Sequence, residues 1–242
     1  MSNTLVYLIP SQLDETGFAA IPPYIIDAVK KCQSFFVENE RTSRRYLKKI
    51  WKVYLPGQEI IIDDYEWYNL SDASVNESFR KKIKEGKTIG IISEAGCPGI
   101  ADPGQQLIAI AHELNIDVKP LVGPNSILLA LMASGMNGQQ FQFTGYLPIG
   151  NSERIKAIKD LEAESAKKNC TQIFIETPYR NNQITEVLLS VCHPSTLLCI
   201  AVNITGEKEF IRTKTIAEWK ISRPDFHKRP AIFLIYAGKS FY

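Results

Sequence analysis

The chain has 242 residues, 45% of them apolar and 22% charged, with 28 Lys+Arg against 26 Asp+Glu and a formal charge of +2. This is ordinary globular composition, long enough for one large domain or two small ones, and it excludes collagen-like, low-complexity and disordered classes. No overall basic excess advertises a nucleic-acid binder, although a local patch is compatible with a balanced total, and the longest apolar runs fall short of the roughly 18–20 residues a membrane span needs.

LVYLIP at 5–10 and SFFVEN at 34–39 are short and rich in Val, Ile and aromatics, so they read as strands. Between them Pro22-Pro23 opens a helix carrying Tyr24, Ile25, Ala28 and Val29, because proline in a first turn lacks only an N–H that would be orphaned anyway. Helices follow at 41–51 and 75–85, the second closing on a Lys-rich turn with Gly86 as its stop. TIGIISEA at 88–95 and DVKPLVG at 117–123 are strands, and 105–114 is a helix with Leu107, Ile108, Ile110, Ala111 and Leu114 on one side. Strands separated by helices imply parallel pairing through crossovers, so this half predicts an open, mostly parallel α/β sheet buried on both faces.

The second half changes character. A helix at 127–134 leads to FQFTGYL at 141–147, a charged helix at about 152–167, TQIFIET at 171–177 and a helix at 181–191. The rest reads as strand, at 195–205, 208–219 and 230–238, with a hairpin around Gly206-Glu207. A mixed sheet is expected here. The boundary falls near Pro120–Pro124, dividing an N-terminal α/β domain, 1–120, from a C-terminal α/β domain, 121–242.

The five cysteines, Cys32, Cys97, Cys170, Cys192 and Cys199, are scattered with no CxxC pair, and the three histidines share no ligand spacing. Neither a disulfide framework nor a metal site is expected. The N-terminal stretch MSNTLVYLIPSQLDE has no basic leader region, so the expectation is a reduced, cytoplasmic protein with no membrane association.

Residues 93–104, SEAGCPGIADPG, hold the densest chemistry: a buried strand ends, then glycines, prolines and two carboxylates precede a helix. Most strand-to-helix connections take about 2–6 residues, and ligands of open α/β sheets bind at the carboxyl ends of strands, where this loop lies. Asp102 has a plainer reading as a cap for a helix starting at Pro103. There is no phosphate loop, no GxGxxG after the first strand and no GxSxG elbow, which removes the usual support for phosphoryl transfer, dinucleotide chemistry and serine hydrolysis. Three further turns, 121–126 (LVGPNS), 143–148 (FTGYLP) and 175–180 (IETPYR), are each ordinary punctuation taken singly.

Together and in this order, SEAGCPGIADPG, PLVGPNSILLALMASGM, FQFTGYLP and FIETPYR resemble the tetrapyrrole methylase superfamily of S-adenosylmethionine-dependent methyltransferases. The branch most resembled is the ribosomal RNA small-subunit 2′-O-ribose methyltransferase I family. The resemblance spans about residues 5–238. It implies a two-domain tetrapyrrole methylase-like fold, a homodimer, and S-adenosylmethionine in a cleft between the domains. Carried over, the cofactor-binding residues are Pro10, Ser93, Glu94, Ala95, Gly96, Cys97, Pro98, Ser126, Ile127, Ile175, Val202, Asn203, Pro230 and Ala231, most of them through backbone. Departures fall on the substrate side. Glu94 and Cys97 stand where the family has Asp and Thr, Pro10-Ser11-Gln12-Leu13-Asp14 lacks the branch's glycine, and Glu38-Asn39-Glu40-Arg41 replaces Glu-Asp-Thr-Arg. Ile204-Thr205-Gly206-Glu207-Lys208 replaces a Leu-Thr-Lys segment, and the branch's extra C-terminal helical segment is not expected in a chain ending at Tyr242.

The implied activity is methyl transfer to a ribose hydroxyl of ribosomal RNA. Transfer to a tetrapyrrole or other small molecule, and a non-catalytic relative, are the alternatives. Methyl transfer from a sulfonium requires mainly positioning, though a ribose hydroxyl also needs a proton acceptor. Asp102, Glu176, Tyr179, Arg180, Lys208 and Glu209 are candidates toward the cleft; the sequence does not rank them, and no catalytic residue is assigned. Arg41, Arg44, Arg45, Lys48 and Lys49 lie on one predicted helix, where they read either as a grip on RNA phosphates or as a solvated face, with Tyr46 and Trp51 placed to stack on a base.

Overall fold

The computed structural model describes residues 4–222 and 225–238; the first residues of the N-terminal stretch and the chain end at Tyr242 lie outside them. Two units divide the chain, Met1–Asn125 and Ser126–Tyr242.

In the first unit, β1 (Leu5–Ile9), β2 (Ser34–Val37), β3 (Glu66–Asn69), β4 (Ile89–Ile92) and β5 (Asp117–Pro120) form one sheet in the order β3-β2-β4-β1-β5, with every pairing parallel. The crossovers carry α1 (Ile25–Val29), α2 (Glu40–Tyr54), α3 (Val75–Lys84) and α4 (Gln105–Glu113). Side chains alternate across the strands, so two cores form. Tyr7, Ile9, Phe35, Val37 and Ile92 pack with α1 and α2, while Val6, Phe36, Ile89 and Ile91 pack with α3 and α4. Gly90 is required by the first core, because a Cβ there would lie 2.6 Å from the Phe35 ring.

Three sequence expectations change. The helix opened by Pro22-Pro23 begins at Ile25 and lasts a little over one turn. β3 was not foreseen: its four residues are all half-buried at a sheet edge, with no apolar run to mark them. Asp102 does not cap α4, whose N-cap is Gly104.

In the second unit, β6 (Phe141–Tyr146), β7 (Thr171–Ile175), β8 (Leu197–Val202), β9 (Phe210–Thr215) and β10 (Ala231–Tyr236) form a mixed sheet in the order β6-β7-β10-β8-β9, with β6 parallel to β7 and the rest antiparallel. On one face Phe174, Ile200, Phe233 and Ile235 pack with α6 (Asn151–Lys168), α7 (Asn181–Val191) and α8 (Ile216–Ile221). α5 (Ser126–Ser134) packs on β8, β9 and β10. The strand expected over 208–219 stops at Thr215. There Thr215 and Glu218 form a reciprocal capping box that starts α8, satisfying backbone donors a continued strand would have paired differently.

Among the described residues no helix is long and apolar enough to cross a membrane. All five cysteines are free thiols, four of them buried.

Candidate functional site

At the carboxyl end of β1 the chain meets the long loop that follows β4. The Ser11 N–H donates to Gly96 O at 2.8 Å and the Gly96 N–H returns to Ser11 O at 3.2 Å, a single antiparallel bridge outside the sheet. The Ser11 hydroxyl donates to Ser93 O at 2.9 Å. Gly96 adopts φ +79°, a conformation an L side chain rarely takes. Tyr46 of α2 donates to Pro10 O at 2.5 Å, and a Cβ on Gly123 would run into the Pro10 ring. The Cys97 thiol lies 3.5 Å from Pro124 O, and burial pushes its pKa up. Pro10, the stretch from Ser93 to Pro98 and the Gly123-Pro124 turn are thereby held together in the first unit.

Asp102 closes the far part of the loop. Its carboxylate accepts the Gly99 N–H at 2.9 Å and the Gly104 N–H at 2.7 Å. Burial raises its pKa, against the lowering effect of those two bonds. Ala101 between them is held at φ 58°.

Glu94 joins the loop to β2 and α2. Its N–H donates to Glu38 Oε1 at 2.8 Å, and its own Oε1 accepts the Thr42 hydroxyl. Burial raises the pKa of Glu38, with smaller contributions from the nearby Asp102 and Glu94 carboxylates, opposed by the Glu94 N–H. The other Glu38 oxygen has no hydrogen-bond partner among the described residues. Glu94 and Thr42 line a cavity of about 460 Å³ together with Gln12, Asp14, Glu15, Arg45, Lys49 and Ser93, and Glu38 stands behind Glu94, whose N–H it accepts. Lys49 Nζ donates to Gln12 Oε1 at 3.2 Å and to Glu15 O at 2.9 Å, and sits 4.8 Å above the Phe18 ring.

The basic helix is only partly available. Arg44 pairs with Glu40 at 2.8 Å and with Asp63 at 2.7 Å, and lies over the Trp67 ring. Tyr46 and Trp51 are buried at 7% and 6% exposure, so neither can stack on a base as the sequence suggested. They occupy the inward face of α2 with Leu47 and Ile50.

In the second unit Ile175, Val202, Asn203, Pro230 and Ala231 gather at one end of the sheet. Ile175 neighbours Ile232 in register, Val202 pairs with Ala231, and the Asn203 N–H donates to Pro230 O at 3.0 Å. Asn203 and Thr205 are both left-handed, φ 48° and 71°, and Glu209 accepts the Thr205 N–H at 2.7 Å. Glu176 is buried; its Oε1 accepts Arg180 Nη2 at 2.6 Å and the Thr177 N–H at 2.7 Å. Three buried oxygens at this end, Glu176 Oε2, Asn181 Oδ1 and Thr205 Oγ1, have no partner among the described residues. An orphaned buried acceptor is costly, which points to a donor supplied from outside the chain. Tyr179 is exposed beside His227 and Lys228, and Lys208 O accepts from Arg229. Ser126 and Ile127 open α5.

The sequence profile of the tetrapyrrole (corrin/porphyrin) methylases matches residues 21–220. The chain belongs to this family. Ribosomal RNA small subunit methyltransferase I of Vibrio cholerae is 27% identical over 237 residues, 97% of this chain and 77% of that protein. The Bacillus subtilis protein of the same name is 30% identical over 217 residues, 88% of this chain and 68% of that one. The chain spans less of other relatives, 43% of the Halalkalibacterium halodurans protein, at 36% identity. Among solved structures, diphthine synthase superposes with TM-score 0.65 at 12% identity, covering 97% of this chain and 90% of that one. The methyltransferase CobJ gives 0.58 at 16%, covering 96% and 92%. These identities show a shared fold. Family membership makes the chain a methyltransferase, in the branch of its ribosomal RNA relatives.

Of the groups described, Glu38 entered the sequence reading only within the substrate-side segment Glu38-Asn39-Glu40-Arg41, with no role of its own. Its position at the carboxyl end of a buried strand was the available signal.

Proposed function

We propose that the chain transfers a methyl group from S-adenosylmethionine to a ribose 2′-hydroxyl of small-subunit ribosomal RNA. The donor supplies an electrophilic methyl on a sulfonium. Pro10, Ser93, Glu94, Ala95, Gly96, Cys97 and Pro98 would hold it in the first unit, and Ser126, Ile127, Ile175, Val202, Asn203, Pro230 and Ala231 in the second. The fit rests on two observations: Gly123 lets its turn close against the Pro10 ring while Gly96 pairs backbone to backbone with Ser11, which brings these main-chain segments together, and the unpartnered oxygens of Glu176, Asn181 and Thr205 lie at the sheet end bearing Ile175, Val202 and Ala231. Amino and hydroxyl donors of a nucleoside suit such acceptors.

The observation that carries the acceptor is the polar cavity beside Glu94, whose lining joins the cations Arg45 and Lys49 to Gln12, to hydroxyl side chains that include Thr42 and Ser93, and to the carboxylates of Asp14 and Glu15. A macrocycle would call for a larger apolar trough. As the ribose oxygen bonds to the methyl carbon and the carbon–sulfur bond breaks, the hydroxyl proton must leave. Glu38 takes it in this reading, since its free oxygen is a stronger base than an ordinary carboxylate. The resemblance extends the proposal to a homodimer working in the cytoplasm, and sedimentation velocity tests the dimer.

Labelled S-adenosylmethionine incubated with unmodified small ribosomal subunits tests the function. The expected product is methyl label in RNA together with one nucleotide resistant to alkaline cleavage, because the 2′-oxygen is blocked. Label that enters a precorrin-type acceptor and leaves RNA bare would establish the small-molecule alternative. No cofactor binding at millimolar concentration would remove both.

A further inference from the structure

α2 is amphipathic with an uneven outer face. Arg41, Arg45, Lys48 and Lys52 are exposed and recur at i, i+4, i+7 and i+11, so they form one stripe along the helix. At about 1.5 Å per residue the stripe is roughly 16 Å long, with a cation every 4.5–6 Å along the axis. None of the four side chains has a hydrogen bond or ion pair among the described residues; Arg41 bonds to Asn39 only through its backbone N–H. The contrast lies on the same helix, where Arg44 is bound to Glu40 and Asp63, and Lys49 to Gln12 and Glu15. Glu40, the helix's own carboxylate, is spent on Arg44. Like charges three and four residues apart weaken a helix, so an unneutralised row is a standing cost that a polyanion would relieve.

Two further observations select the polyanion. Arg45 borders both the cavity beside Glu94 and an open groove lined by Arg41, Arg44 and Lys48, so the stripe runs up to the acceptor pocket. The apolar face of α2 is buried in the core through Leu47, Ile50 and Trp51, leaving Val53 as the one large apolar side chain the helix exposes, too little to anchor it in a lipid surface.

We propose that Arg41, Arg45, Lys48 and Lys52 bind consecutive phosphates of the acceptor RNA strand, with Arg45 at the point where the target nucleotide turns into the cavity. This rests on the RNA reading above and names the surface that delivers the substrate.

The test is a fourfold Gln variant, R41Q/R45Q/K48Q/K52Q, titrated against a fluorescent single-stranded oligonucleotide of ribosomal RNA sequence over a range of salt. The expected loss is about 3 in the slope of log K against log salt, from about 0.7 per phosphate contact on a single strand. KM for small subunits rises while S-adenosylmethionine binding by calorimetry stays unchanged, which shows the variant folded. R41K/R45K keeps the charge and retains the slope. K156Q/K159Q/K167Q/K220Q removes equal charge from the second unit and leaves the slope intact. An unchanged slope in the stripe variant, or an equal loss in the second-unit control, overturns the stripe while the RNA reading survives. Wild-type protein that binds the cofactor and anionic phosphatidylserine vesicles, but no RNA, overturns both.

Discussion

At the scale of single residues the proposed chemistry concentrates on Glu38. Glu38→Gln keeps the size and the acceptor for the Glu94 N–H while removing the base, so kcat should fall by about 10²–10⁴-fold with cofactor affinity unchanged. In the wild-type enzyme the kcat profile rises with pH and levels off at an inflection above the ordinary carboxylate value of about 4.3, because burial raises the Glu38 pKa. A flat profile, or full activity in the variant, assigns the proton to another group. Gly123→Ala and Gly90→Ala separate a site effect from a packing effect. Both insert a methyl into occupied space, Gly123 against Pro10 and Gly90 against Phe35 and Ile9, at a cost of about 1–3 kcal/mol each. Denaturant midpoints should drop in both, and calorimetry should show weakened S-adenosylmethionine binding only for Gly123→Ala. The loop from Ser93 to Gly104 was legible because Gly/Pro density of that length has few structural uses. The Glu38–Glu94–Thr42 contacts were not, since they join residues more than fifty positions apart and exist only because β2 lies beside β4.

At the scale of elements, β3 is fastened to its neighbours by charge as well as by the stacking of Trp67 on Phe35 and Tyr68 on Phe36. Lys82 of α3 donates to Glu66 at 2.9 Å and to Glu85 at 2.8 Å, while Ser34 of β2 donates to the other Glu66 oxygen at 2.7 Å. Burial raises the Glu66 pKa, but the bonds from Ser34 and Lys82 together outweigh it and leave it lowered. Its stabilisation is therefore present above its unfolded value near 4.3 and lost as pH falls through the lower folded value. Lys82 is raised by its bonds to Glu85 and Glu66, so its part is complete below the ordinary lysine value of about 10.4 and fades only above it. Lys82→Met should cost about 1–2 kcal/mol at pH 7, between an exposed and a buried pair. Urea unfolding of both proteins should show the gap constant from about pH 6 to 9 and closing toward pH 3 as the carboxylates protonate. A gap that persists at pH 3 would make this a packing effect. Strands that are short, almost wholly apolar runs were readable from sequence, as β1, β4 and β10 show. β3 carries its aromatics at a half-buried edge, so neither a run nor an alternation marks it. Thr215 and Glu218 held a readable helix start inside what was taken for one strand, and the apolar residues around them masked it.

At the scale of the whole molecule, a ligand that binds only the folded chain stabilises it by mass action. S-adenosylmethionine at a hundred times its dissociation constant should add about 2.7 kcal/mol, seen as a rise in Tm that grows with the logarithm of concentration. Methionine at equal concentration should leave Tm where it was. No shift at millimolar S-adenosylmethionine would refute the cofactor assignment. Fold class and branch were readable because four separated segments between residues 93 and 180 occur in the family's order. The face on which Tyr46 and Trp51 fall depends on where α2 begins and what covers it, and they are buried.

The Asp102 carboxylate, bonded across its loop to the Gly99 and Gly104 amides, has a kinetic consequence. A lip laced to itself in this way is already shaped when the nucleoside arrives, and little freedom is left to surrender on docking. Capture of the donor then proceeds in a single phase whose rate increases linearly with concentration, and severing the lace in Asp102→Ala introduces a slow second phase in stopped-flow traces.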